Sequence, residues 1–184
     1  MEMLAVVAII SVLAGLVIPV LGYAKTQAKK ARAKEEMNNI RIAMTAYYRE
    51  YGYWPHGSTS WTDLSTMLNG NVHPYTGAAA AANAWSTTNN VRAIRFLEFR
   101  RESLSAAGEF LDPWGNPYRV LLDNGAVAFA DAGWTDATSG RESGTVANPA
   151  GGTIQSQIAV YSIGENETDD NGVNSSDDIK SWNN

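Results

Sequence analysis

The chain changes its pattern of apolar and polar positions once, near residue 25. Residues 3–24 carry no charge, and apolar side chains occupy every face of any helix they would form. From residue 25 the apolar positions narrow to Ala33, Met37, Ile40, Met44, Tyr47 or Tyr48, and Tyr51. Spacings of three and four put these on one face of an α-helix. No Gly or Pro interrupts residues 23–51, and Gly52 with Pro55 supplies a stop. The pattern predicts one helix from the N-terminus to about residue 51, about 75 Å long at 1.5 Å per residue. Its first half is apolar all round. Its second half lays a stripe on whatever follows.

The remainder alternates short periodic runs with turn-rich stretches. Thr62 to Leu68 reads as a short helix capped by Thr62 or Ser60. Asn90 to Arg101 fits a helical turn or an irregular apolar strap equally well. Tyr118 to Leu122 and Ala126 to Ala130 flank Asp123-Asn124-Gly125, a hairpin signal. Gln157 to Ile163 is apolar on both faces, as a central strand would be. Stretches 76–90 and 133–156, rich in small polar residues, read as long surface loops. The expected class is α+β: a long N-terminal helix packed on a small antiparallel sheet with long loops. The expected divisions are an apolar half-helix (1–24), an amphipathic half-helix (25–52) and a globular domain (53–184).

Charge sharpens this division. The net charge is only −5, but its distribution is uneven. Seven of the 14 basic residues lie between Lys25 and Arg49, whereas residues 160–184 hold six acids against Lys180 alone. Mild acidity gives no reason to expect a nucleic acid partner. The absence of cysteine excludes disulfides and thiolate chemistry, and His56 and His73 alone leave little for a histidine-based site. No nucleophile–base pair or phosphate loop is visible, so the chain does not read as an enzyme.

The uncharged run before Lys25, residues 3–24, is 22 residues long, enough to cross a bilayer as a helix, which takes about 20. A signal peptide would start basic and have a shorter apolar core. Taken alone, the basic cluster after the run favours a cytoplasmic domain, unless a more basic leader precedes Met1. Glu2 is a lone carboxylate at the edge of this run, and such a group is a functional candidate by default. Gly15, Pro19 and Gly22 weaken a helix and mark 15–22 as the place where it would kink or melt.

With Glu2 and Pro19 at that spacing in an apolar run, the N-terminus resembles a type IV pilin or a type II secretion pseudopilin. Two further segments fit the major pseudopilin of type II secretion. FLDPWGNPYRV, residues 110–120, resembles its D-P-W-G-x-P-Y signature, here Asp112, Pro113, Trp114, Gly115, Pro117 and Tyr118. The ending IAVYSIGENETDDNGVNSSDDIKSWNN resembles its strand, acidic loop and terminal D-I-x-x-W. The three matches stand in the family's order. The D-P-W-G motif reads as structural, since two prolines and a glycine make a tight turn and Trp114 an apolar anchor.

The acidic loop is the candidate for chemistry. Glu167, Asp169, Asn171, Ser175 and Asp178 fall at relative positions 1, 3, 5, 9 and 12, with Gly172 at 6, the ligand rhythm of an EF-hand loop. The resemblance implies a different calcium geometry, through Asn166, Ser176 and Asp178, with Asp169, Asp170 and Asp177 as neighbouring carboxylates. The candidate ligands are Asn166, Asp169, Asp177 and Asp178. The competing reading is a solvated acidic loop.

The resemblance implies a filament subunit, held in a bacterial inner membrane and then polymerised through its apolar half-helix into a periplasmic or cell-surface fibre. Its partners would be copies of itself, minor pilin-like subunits and an assembly machinery. It also implies that Glu2 pairs with the N-terminal amine of a neighbour. The alternative is a single-span, membrane-anchored monomeric binding domain, for which Glu2 and Pro19 have no use.

Overall fold

The computed structural model describes residues 2–55, 60–122, 146–147, 153–168 and 177–182, and only the backbone of residues 2, 14–20, 146–147 and 153. Helix α1 (Glu2–Tyr51) is continuous. Residues 15–22 are helical throughout, so in the single chain Gly15, Pro19 and Gly22 do not interrupt it. Gly52, at φ 78°, donates to the Tyr48 carbonyl and closes the last turn, which only a residue tolerant of positive φ does without strain.

The stripe predicted on the second half of α1 is the spine of the core. Ala33, Met37, Ile40, Met44 and Tyr47 are buried, with Ala43 among them, and Tyr48 and Tyr51 are partly buried beside them. Helix α2 (Trp61–Leu68) contributes Trp61, Leu64, Met67 and Leu68 to the same core. Of the two cap candidates Ser60 takes the role, accepting the Thr62 N–H at 3.2 Å.

Residues 90–101 form the strap, not the helical turn. The strap runs antiparallel to the end of α2 through an Asn69–Arg95 bridge, and Phe96 and Leu97 both donate to the Leu68 carbonyl. A 3-10 turn, Arg101–Ser103, follows it. The stretch read as a loop over 76–90 contains one short helix, α3 (Trp85–Asn89). Buried Asn90 holds strap and helices together: its Nδ2 donates to Met67 O and Ile94 O, and its Oδ1 accepts from the Tyr51 hydroxyl and Ile94 N–H.

The sheet is antiparallel with order β1 (Arg119–Leu122), β4 (Ile158–Ser162), β5 (Ile179–Lys180). Val120 pairs with Val160, and Ser162 with Ile179. Strand β4 is central and wholly buried, as its two-faced apolarity required. Ile158 and Val160 face the helical core; Ala159 and Tyr161 join Leu121, Ile154 and Ile163 in a second cluster across the sheet. The partner strand expected over 126–130 lies outside the described residues. The 133–156 stretch is not loop throughout, since β2 (Val146–Ala147) and β3 (Thr153–Ile154) pair antiparallel within it.

Candidate assembly helix and C-terminal loop

Helix α1 lives in two environments. Met3, Leu4, Val6, Val7, Ile9, Ile10, Val12, Leu13, Leu21 and Tyr23 are all more than half exposed, Met3 at 82% and Leu4 at 74%. Monomeric soluble proteins rarely leave so many large apolar side chains of one helix in water. The Ser11 hydroxyl donates to the Val7 carbonyl at 2.8 Å, so this polar group is satisfied within the helix and needs no water. A Cβ on Gly22 would meet nothing within 4 Å, so packing within the chain does not demand a glycine there. Among the described residues no helix is long and apolar enough to cross a membrane; side chains 14–20, the middle of the uncharged run, lie outside that description. The side chain of Glu2 lies outside it too.

The D-P-W-G motif is organised by Asp112, not by its tryptophan. Asp112 is buried, and its Oδ1 accepts the N–H groups of Trp114 at 2.9 Å and Asn116 at 2.8 Å. Its Oδ2 accepts the Ser162 hydroxyl at 2.5 Å. Gly115, at φ 101°, occupies a backbone region closed to other residues. Trp114 is only partly buried, at the edge of the core, with the Lys29 ammonium 5.5 Å from its ring centre.

From Ser162 the connections continue into the C-terminal loop. Gly164 N–H donates to Ser162 Oγ, and Asn116 Nδ2 donates to the Gly164 carbonyl. Asp177 Oδ2 then accepts the N–H groups of Glu165 at 2.7 Å and Asn166 at 2.8 Å. Gly164, at φ 74°, permits this approach: a Cβ there would lie 2.7 Å from Asp177 O. Of the candidate calcium ligands, Asn166 and Asp177 are thus in direct contact, Asp178 is the next residue, and Asp169 lies outside the described residues. Among the described residues no three acidic or histidine side chains gather into a metal cluster. Asp177 already serves as the acceptor that folds the turn, a role its place in a run of acids does not reveal. Trp182, next to β5, packs edge-on against Tyr161 at 5.9 Å.

Sequence reading missed the node that joins helix to domain. Glu36 Oε2 accepts the Tyr118 hydroxyl at 2.6 Å, while Oε1 accepts from Arg32 Nε at 2.9 Å and the Ser103 hydroxyl at 3.3 Å. Burial, and then the hydrogen bond to Glu36, pushes the Tyr118 phenol far above its ordinary range. The same carboxylate raises the Arg32 guanidinium. A signal was present: Arg32 and Glu36 stand four apart, and Glu36 adjoins the buried Met37. The last residue of the D-P-W-G motif, Tyr118, is therefore its link to α1.

No protein-family model, curated protein or solved structure matches the chain.

Proposed function

We propose that the chain is a structural subunit of a helical filament of the type IV pilus or type II secretion pseudopilus kind. The observation that carries the reading is the contrast within α1. Its second half is the spine of a folded domain, and its first half exposes ten large apolar side chains that the domain does not cover. Each is worth about 1.5–3 kcal/mol when buried from water. Discounted for the part of each that the helix already covers, together they match or exceed the roughly 4–15 kcal/mol that association costs. Such a subunit is held in lipid or in a polymer of its own kind, and contacts that do not close on themselves give a filament.

Lipid tails cover apolar side chains as well as protein does, so leaving the membrane needs a further bias. Glu2 is assigned that role, pairing its carboxylate with the N-terminal amine of a neighbouring subunit. The subunit resides in a bacterial inner membrane before assembly and in a periplasmic or surface filament afterwards, with minor pilin-like subunits and an assembly machinery as further partners. Calcium is proposed for the C-terminal loop, where Asn166, Asp177 and Asp178 offer the hard oxygen donors it prefers. Electron microscopy of sheared surface material, with mass spectrometry of its main subunit, tests the reading. Filaments built of this chain support it. Recovery only as single membrane-embedded copies supports the anchored binding domain instead.

A further inference from the structure

His73 is held by bonds that require one protonation state. Its Nδ1 accepts the N–H groups of Tyr75 at 3.3 Å and Thr76 at 3.2 Å. An acceptor carries no proton, so the ring proton sits on Nε2, which lies 3.1 Å from the Ala107 carbonyl and donates to it. One imidazole therefore folds its own loop from one edge and fastens it to the facing turn from the other. The fit is close, because a Cβ on Gly108 would lie 2.9 Å from His73 Cε1 and Nε2.

The surroundings confine the consequence of a second proton to the loop. The facing turn is anchored independently: Thr62 and Ser65 of α2 donate to the carbonyls of Ala107 and Gly108 at 2.7 and 2.6 Å. The loop base is closed by backbone bonds, His73 N–H to Ala78 O and Ala80 N–H to Asn71 O. Charges on the neighbouring elements are of both signs. Arg101 and Glu102 lie on the 3-10 turn, with the Arg101 guanidinium 4.7 Å over the Tyr75 ring. Asp63 lies in the first turn of α2, and Glu109 accepts the Ser105 hydroxyl at the end of the turn. Besides His73, the Tyr75 phenol is the titratable group of the loop itself.

We propose that His73 is a pH-sensitive latch for the surface loop 73–78. Neutral, it closes the loop. A proton from solvent adds to Nδ1, turns that acceptor into a donor, and strands the Tyr75 and Thr76 N–H groups, while the Nε2 bond to Ala107 survives. The loop tip opens; its base and the facing turn stay in place. The device is independent of polymerisation.

Amide hydrogen exchange on the full chain in detergent, corrected for intrinsic rates, tests this between about pH 8 and pH 5, the span over which imidazoles titrate. Protection at Tyr75 and Thr76 is expected to fall about fivefold on acidification, the factor given by one hydrogen bond of ordinary net strength, about 1 kcal/mol. The amides of His73 and Ala80 should keep theirs. His73→Asn places a side-chain oxygen where Nδ1 stood and removes the proton site, so its loop should stay protected across the range. His56→Gln, which alters the only other histidine, should leave the response intact. PH-independent protection at Tyr75 and Thr76 in the unaltered chain would overturn the proposal, as would an equal loss in His73→Asn.

Discussion

The Ser162 hydroxyl donates to Asp112 Oδ2 across 2.5 Å, joining residues 50 positions apart in the buried interior. This bond couples the D-P-W-G turn to the central strand. Through Gly164 and Asn116 it reaches the C-terminal loop. Asp112→Ala leaves two backbone N–H groups and one hydroxyl without their acceptor. Its expected cost is about 4–5 kcal/mol, the low end for three bonds to a charged group at about 1.5–3 each. Asp112→Asn keeps one oxygen and should cost less. Urea unfolding of the two variants checks the order.

Tyr118 and Glu36 predict an alkaline limit to stability. Burial and the bond to Glu36 hold the Tyr118 phenol neutral in the fold, and burial does the same for Tyr47. In the unfolded chain both phenols ionise near pH 10. A group raised in the fold contributes fully below its unfolded value and loses that contribution as pH rises above it. Stability should therefore fall above about pH 10. Tyr118→Phe should lower Tm at neutral pH, by about 2 kcal/mol in free energy, and flatten the alkaline decline. Thermal melts across the alkaline range read both effects.

Gly164→Ala should loosen the C-terminus. The new Cβ would fall 2.7 Å from Asp177 O and 2.8 Å from its Oδ2, at a φ of 74°. The strained backbone alone costs about 1–3 kcal/mol. Trp182 fluorescence should report movement away from Tyr161, and an unchanged spectrum and Tm would contradict the close approach.

Calcium makes a separate prediction. A ligand present at a hundredfold above its Kd stabilises the fold by about 2.7 kcal/mol. Chelation should lower Tm, and Asp178→Ala should lower it in calcium and abolish the response to chelator. Equal melting with calcium and with chelator would leave Asp177, as acceptor for Glu165 and Asn166, to hold the turn without an ion.

Period and composition carried much of this fold. The stripe from Ala33 to Tyr47 is the buried face of α1, and the two-faced apolarity of 158–163 correctly made β4 central. What escaped reading depended on distant partners. Asp112 looked like part of a turn because Ser162 is remote in sequence. Glu36 drew no reading at all because its partner Tyr118 arrives only in the fold. Asp177 looked like one acid among several, although its oxygen is the acceptor that closes the loop. The 146–147 and 153–154 ladder is too short to show a period.

Glu2→Ala separates membrane insertion from assembly. The variant should remain in the membrane fraction, since residues 3–24 are untouched, and filaments should disappear from sheared material. Normal filaments from it would remove Glu2 from the mechanism.

Polymerisation through the apolar half of α1 is tested most directly by a helical reconstruction, from electron cryomicroscopy, of filaments formed by this chain. The account predicts the Met3–Leu13 segments of neighbouring subunits packed together along the axis, at the 8–10 Å spacing of contacting helices, with the 53–184 domains outside. It also predicts that stacking draws residues 15–22, helical in the single chain, into an extended stretch. A filament whose core is built from the domains, with the apolar half-helices left uncovered by one another, would contradict it.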